Sequence, residues 1–409
     1  MSTVLSLPLA ENDASAIERL DINVDIHDNS SPEELSERVA TLFNQMFALD
    51  MSVKASQVSV DRLTDGFTNL VYSVTVDPAP MVPTEQQQQE TTCFHRATAA
   101  EDYADATQIG PQIYGIFENG RLEEFFESTT LTRDDIRNAS TSRQIAQRVC
   151  ELHTLVGHHR PFSGDAEKQN NGTTALYLSK KPDLWTNVDT MMGVIQSKWP
   201  EIRRECDANV QCAEILDNWH QVEQAVHKFK TYIEKDVHSP ILFAHNDLAY
   251  DNILRLEGSG EIVLIDYEYA GFNYRGFDIA NHFYTWTPNS SYSETLHILD
   301  LARYPTVEQR HNFLRAYILA KTTMVTDASG PVPNSAQLAE LSTARLTEDQ
   351  ICKEVAALER EVASFVAAPF LQWGDWGLLK TCSSEIDFDF VSYSAQCLSR
   401  FLSHVAVLK

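Results

Sequence analysis

Between Ile241 and Glu268 the chain mixes apolar runs and reactive polar residues in an order that few folds can use. An apolar run, Ile241 to Ala244, leads into His245-Asn246-Asp247-Leu248-Ala249-Tyr250-Asp251-Asn252. A second run, Ile253 to Leu256, the glycine turn Glu257-Gly258-Ser259-Gly260 and a third run from Ile262 then deliver Asp266-Tyr267-Glu268. The pattern predicts a strand, a polar loop and a β-hairpin carrying an acid at its end. An HxDxxxxN loop followed by such a hairpin is a phosphoryl-transfer layout. One carboxylate must accept a hydrogen bond from the attacking hydroxyl, while an amide oxygen and a second carboxylate hold Mg²⁺ against nucleotide phosphates. Asp247, Asn252 and Asp266 fit those three roles in order. Taken singly, the loop residues also read as helix-capping polar groups and Asp266 as a turn acid; the ordered combination favours the chemical reading.

The length sets the frame around this stretch. At 409 residues the chain exceeds the roughly 250–300 at which one core stops growing, so two lobes are expected. With 32 Lys+Arg against 58 Asp+Glu, 32 − 58 gives a net charge of −26. That balance argues against a nucleic-acid partner, whose phosphates require clustered cations. The 7 cysteines form no CxxC pair, so neither a zinc site nor a disulfide framework is expected. Met1 to Ala10 has no basic residue ahead of a short apolar run, and no run of about 18 apolar residues occurs. A cytoplasmic protein without a membrane span is expected, and a homodimer is left open.

Residues 1–29 are polar and aperiodic, and read as a loosely ordered lead-in. Ser31-Pro32-Glu33-Glu34 predicts a helix start, followed by Leu35, Val39, Leu42, Phe43, Met46 and Phe47 at helical spacing. Val58 to Val76 is strand-like around Thr64-Asp65-Gly66, Thr92 to Arg96 is a further strand, and Gln112–Phe117 with Arg121–Phe126 form a hairpin around Asn119-Gly120. Helices then dominate, among them Ile145–Leu155, Asp217–Ile233, a region over roughly 308–370 broken by Gly330-Pro331-Val332-Pro333, and a last one from about Asp389 to Val405. The expectation is an α+β fold: a nucleotide-binding sheet lobe over 30–126 and a larger helical lobe over 127–409.

Asp266-Tyr267-Glu268-Tyr269-Ala270-Gly271-Phe272-Asn273-Tyr274 with Phe277-Asp278-Ile279-Ala280-Asn281-His282-Phe283 resembles the signature of the choline/ethanolamine kinases. Thr64-Asp65-Gly66-Phe67-Thr68-Asn69, Pro111–Phe117, Gly120-Arg121-Leu122-Glu123, Pro182-Asp183-Leu184-Trp185, Trp373-Gly374-Asp375-Trp376 and Ile386-Asp387-Phe388-Asp389-Phe390 extend the likeness in the family's order over about residues 58–403.

The resemblance implies a protein-kinase-like two-lobed fold and ATP- and Mg²⁺-dependent phosphorylation of a small amino alcohol. Gly66, Phe67, Thr68 and Asn69 would cover the ATP phosphates, Arg96 would contact them, and Glu124 and Phe126 would offer hinge backbone groups to adenine. Asp247 would orient and deprotonate the hydroxyl, Asn252 and Asp266 would hold the metal, Glu268 would support them, and Asp278 would buttress the loop. Arg96 also reads, less readily, as an exposed strand cation. An ammonium head group is attracted to aromatic faces and carboxylates, which makes Tyr269, Tyr274, Trp373, Trp376, Phe390 and Tyr393 candidates for its pocket; each alone also reads as core. Trp373 and Trp376, at i and i+3, can share one helical face.

The wording of the loop, DYEYAG and IDFDF segments is more similar to ethanolamine kinases than to choline kinases, so ethanolamine is the expected substrate and phosphatidylethanolamine synthesis the expected route. Choline or dual use, another small alcohol or aminoglycoside, and a catalytically impaired binding module are the alternatives. Two departures motivate the last: Thr285 stands where the family has an acid after its NHF segment, and the Arg96–Pro111 interval leaves only Glu101 or Asp102 to pair with the strand cation.

Overall fold

The computed structural model describes residues 19–20, 31–46, 53–65, 70–76, 90–95, 110–117, 120–155, 182–288, 297–324, 346–384 and 386–408. Strand β1 (Arg19–Leu20) precedes helix α1 (Pro32–Met46). Ser31 and Glu34 close a reciprocal cap, with the Glu34 N–H donating to Ser31 Oγ at 3.2 Å and the Ser31 N–H to Glu34 Oε2 at 2.9 Å. The helix buries Leu35, Val39 and Leu42 at i, i+4 and i+7, one apolar stripe facing the sheet.

That sheet has six strands in the order β1-β5-β6-β4-β3-β2, comprising β2 (Val58–Asp65), β3 (Leu70–Val76), β4 (Glu90–His95), β5 (Ile113–Phe117) and β6 (Gly120–Glu124) besides β1. All its pairings are antiparallel except β1 with β5. The chain then crosses directly to the hairpin expected from the sequence after Asn252. Strand β7 (Ser128–Thr130) pairs with β9 (Ile253–Leu256), itself paired with β10 (Ile262–Leu264), while β8 (Ile241–Ala244) pairs with β11 (Gly271–Tyr274). Gly258 and Gly260 take φ of 82° and 71° in the β9–β10 turn, a conformation open to glycine at little cost.

Helices supply the rest: α2 (Ala139–Leu155), α3 (Asp183–Ser197), α4 (Trp199–Cys206), α5 (Val210–Asp217), α6 (Trp219–Asp236), α7 (Arg275–Tyr284), α8 (Val307–Met324), α9 (Glu348–Ser364), α10 (Ala367–Lys380) and α11 (Phe390–Ala406). Edge-to-face rings knit this core, Trp185 on Phe229 at 5.9 Å and Phe229 on Phe401 at 5.8 Å. Helices α10 and α11 approach closely because Gly374 has no side chain; a Cβ there would lie 2.9 Å from Leu398 Cγ.

A small, mostly antiparallel sheet and a larger helical part match the predicted kinase-like class. Details differ. Two lead-in residues, Arg19–Leu20, form a strand. Strand β10 stops at Leu264, because Asp266 leaves the extended region at φ 60°. Strands β7 and β11 were not expected. Among the described residues no helix is long and apolar enough to cross a membrane.

Candidate active site

The loop between β8 and β9 is held from below by one face of α7. Asp278, Asn281, His282 and Thr285 follow one another at i, i+3, i+4 and i+7, so they share that face, and all four are buried. Asp278 accepts the backbone N–H groups of Asn246 (2.7 Å) and His245 (3.2 Å). Asn281 Nδ2 donates to Asn246 O at 2.9 Å. His282 Nδ1 lies 2.9 Å from Leu248 O, and burial pushes His282 down to about 4, so Nδ1 carries the proton of a neutral ring. Thr285 Oγ1 donates to His282 O at 2.8 Å and lies 3.5 Å from Leu248 O. In this chain Thr285 therefore braces the loop rather than presenting a charge.

The tethering holds an awkward backbone. Among the described residues only Asn246 (φ 66°) and Asp266 (φ 60°) are non-glycine residues with positive φ. Asn and Asp tolerate this region best, and such conformations persist where surroundings over-determine them. Asn246 is fixed by Nδ2 donating to Tyr269 O and by Asn273 Nδ2 donating to its Oδ1, both at 2.9 Å. His245 Nε2 reaches Ile265 O at 2.9 Å, tying the loop to the residue before Asp266. One of the two positive-φ residues directly precedes Asp247, and the other is Asp266 itself.

Those carboxylates converge. Burial pushes Asp247 well above the usual carboxylate range, and the charges of Asp251, Asp266 and Glu268 push it further; a bond from Asn252 opposes them. Asn252 Nδ2 donates to Asp247 O at 2.8 Å and to Asp247 Oδ2 at 3.2 Å. With both amide protons engaged, Oδ1 is the free end of that side chain. Among the described residues no group of three His, Cys, Asp or Glu side chains forms a metal cage by itself. The donors at hand are hard oxygens, Asn252 Oδ1 and Asp266, a sparse set that suits Mg²⁺, which takes the rest of its shell from phosphates and water.

Beside this basin the aromatic rings form a girdle. Centroids run Tyr269–Trp373 5.8 Å, Trp373–Trp376 5.7 Å, Trp376–Phe390 5.6 Å, Phe390–Phe388 4.7 Å and Phe388–Tyr393 5.5 Å. Both ends lie within the electrostatic reach of the same acid. Burial raises Tyr269 and Tyr393, and the Asp247 charge adds to each. Lys380 Nζ lies 5.3 Å from the Trp376 centroid, so this indole already engages an ammonium. Five of the six aromatic candidates meet here. Tyr274 does not: its ring packs on Phe365 at 5.2 Å, and its hydroxyl lies 3.4 Å from Trp185 Nε1.

At the end of β6, the Glu124 N–H donates to Gln112 O at 2.8 Å, and Phe126 O accepts from Ser128 Oγ at 3.0 Å. Gly66, Phe67, Thr68, Asn69 and Arg96, with Glu101 and Asp102, lie outside the described residues. The geometry adds residues that sequence reading did not single out. Asp251 bears on Asp247 and was legible as a second acid in the loop. Phe388 links Phe390 to Tyr393 in the girdle and was legible in the Ile386–Phe390 alternation. His153, 2.9 Å from Asp278, left no local signal.

Residues 60–402 match the family model for choline/ethanolamine kinase. The chain is similar to "Probable choline kinase 1" of Arabidopsis thaliana, 27% identical over 91% of this chain and 93% of that protein. It is 28% identical to the choline/ethanolamine kinase of Rattus norvegicus over 70% of its own length, spanning 62% of the rat protein. Its fold is similar to that of a Plasmodium vivax ethanolamine kinase, with a TM-score of 0.63 at 20% identity, covering 94% of this chain and 90% of that one. The chain belongs to the choline/ethanolamine kinase family.

Proposed function

We propose that this protein transfers the γ-phosphoryl group of ATP to the hydroxyl of ethanolamine, giving phosphoethanolamine for phosphatidylethanolamine synthesis. The observation that carries the reading is the aromatic girdle whose two ends, Tyr269 and Tyr393, both lie within the influence of Asp247. A cation bound by the rings then has its hydroxyl arm, two carbons away, at the carboxylate. Asp247 accepts a hydrogen bond from that hydroxyl and takes its proton as the O–P bond forms. Its raised pKa suits a base that must hold a proton transiently.

Asn252 Oδ1 and Asp266 would hold Mg²⁺, which when bound draws charge from the phosphates. Glu268 adds negative charge to the same basin and supports both the metal ligands and the ammonium. Gly66 to Asn69 and Arg96 would cover the phosphates, and the Glu124 carbonyl with the Phe126 N–H would meet adenine, with the lobe boundary at about residue 126. The girdle favours ethanolamine over choline in one respect: phenol oxygens at both ends, beside carboxylates, suit an ammonium with N–H donors. Choline remains the alternative substrate, because ring faces bind a trimethylammonium equally.

The test is ADP release with ethanolamine, choline or neither, each with and without Mg²⁺. Ethanolamine- and Mg²⁺-dependent release is expected, and Asp247→Ala should abolish it while the far-UV spectrum stays unchanged. Nucleotide binding without amine-dependent release would instead identify a kinase-fold binding module.

A further inference from the structure

One end of the girdle has a polar backing that the reaction above leaves without a role. Tyr284, the last residue of α7, is 4% exposed, and its ring packs edge-on against Phe370 at 5.0 Å. Its hydroxyl lies 2.7 Å from the Tyr393 hydroxyl and 3.3 Å from Cys397 Sγ. Tyr393 and Cys397 stand at i and i+4 on α11, one face of that helix, and Cys397 is fully buried. Three atoms that each bear one proton are thus sealed together behind the ring closing the girdle.

The direction in which those protons point follows from electrostatics. A cation in the girdle turns the Tyr393 oxygen toward itself and the Tyr393 O–H away. On the far side, Tyr284 offers a phenol oxygen, whereas Cys397 offers only a weakly accepting sulfur. Tyr393 therefore donates to Tyr284, and Tyr284 donates to Cys397. The Cys397 thiol, which also meets the Tyr393 hydroxyl, is the weakest donor of the three. With its proton given to Tyr284, the Tyr393 oxygen keeps accepting capacity for a ligand. A primary ammonium can donate an N–H to it; a trimethylammonium cannot.

We infer that Tyr284 is a specificity-determining positioning residue: by accepting the Tyr393 hydroxyl proton, it turns the Tyr393 oxygen into an acceptor that favours amines according to the N–H bonds they carry. This inference rests on the amino-alcohol kinase reading and deepens it.

The experiment measures kcat/KM by ADP release for ethanolamine, N-methylethanolamine, N,N-dimethylethanolamine and choline, with 3, 2, 1 and 0 N–H bonds in turn. Tyr284→Phe keeps the ring against Phe370 and removes the hydroxyl. It is expected to lower the ethanolamine-to-choline ratio about tenfold, the worth of one hydrogen bond to a charged group. The fall should be graded along the series, with choline changing by less than about twofold. In a Tyr393→Phe background the same substitution should leave the ratio unmoved, because its effect passes through the Tyr393 oxygen. Cys397→Ala frees the Tyr284 proton to turn toward Tyr393 and should shift the ratio the same way.

An unchanged ratio in both Tyr284→Phe and Cys397→Ala, a parallel loss for all four amines, or a further shift in the Tyr393→Phe background overturns the inference while leaving the kinase reading intact. Absence of amine-dependent ADP release in the unsubstituted protein overturns both.

Discussion

His153 Nε2 lies 2.9 Å from Asp278 Oδ2, with both side chains closed off from solvent. His153 is in turn held by Tyr317, whose hydroxyl is 2.9 Å from its Nδ1. Asp278 passes this anchorage to the backbone of His245 and Asn246. His153→Leu should therefore destabilise the fold by about 3–5 kcal/mol, the cost of leaving one member of a buried pair alone, and lower kcat because the loop carrying Asp247 loses its anchor. His153→Gln keeps an N–H donor and should recover part of both. Urea unfolding and steady-state kinetics check this; a His153→Leu protein of normal stability contradicts it.

Asp278 and Asp247 respond to pH in opposite senses. Burial pushes Asp278 up, but the His153 bond and charge, the His245 charge and the Asn246 N–H outweigh it, so its pKa falls below 3.8. Its stabilising contribution is present above that ordinary value and lost as pH falls through the folded one. Asp247 is raised, so the folded state binds its proton more tightly and stability is lost as pH rises from about 3.8 toward the folded pKa. Asp247→Asn should thus stabilise the metal-free protein at pH 8, by about 1.4 kcal/mol for each unit of elevation. The advantage should shrink as pH is lowered toward 4. Thermal unfolding in chelator across that range checks the sign.

These contrasts show which features the sequence exposes. The loop, the hairpin and the α1 cap are local: each follows from residues a few positions apart, and each was legible. The α7 stripe was not read as one: only the buttressing part of Asp278 was expected, from the resemblance, and the helix that lines it up with Asn281, His282 and Thr285 was not. Strand β7 was not, because Ser128-Thr129-Thr130 has no apolar alternation and becomes a strand only by pairing with β9, more than 120 residues along the chain. Strand β11 was hidden for the same reason, a four-residue segment starting at a glycine and defined by β8. Tyr274 looked like a pocket residue through its nearness to Tyr269, but the turn into α7 sends its ring to Phe365. The His153–Asp278 and Tyr284–Tyr393 pairs span 125 and 109 residues, and nothing in either segment names its partner.

The two tryptophans of α10, equivalent by spacing, should separate on substitution. Trp376 is partly exposed, and its hydrogen bond goes to Tyr269, inside the girdle rather than to the loop, so Trp376→Ala should raise the amine KM up to about thirtyfold, the range of a desolvated cation–π contact, with kcat largely kept. Trp373 has a second attachment. Its Nε1 donates to Asn281 Oδ1 at 2.8 Å, and Asn281 holds the carbonyl of Asn246, the residue preceding Asp247. Trp373→Phe keeps an aromatic face for the ammonium but leaves a buried amide oxygen unpaired, at a cost of about 1–3 kcal/mol. That cost falls on the loop rather than on the cation, so kcat should drop while the amine KM moves little. Equal KM effects from both substitutions would mean that Trp373 serves only as a wall of the pocket. A kcat loss confined to Trp373→Phe would mean that its indole N–H also sets the position of the Asp247 carboxylate.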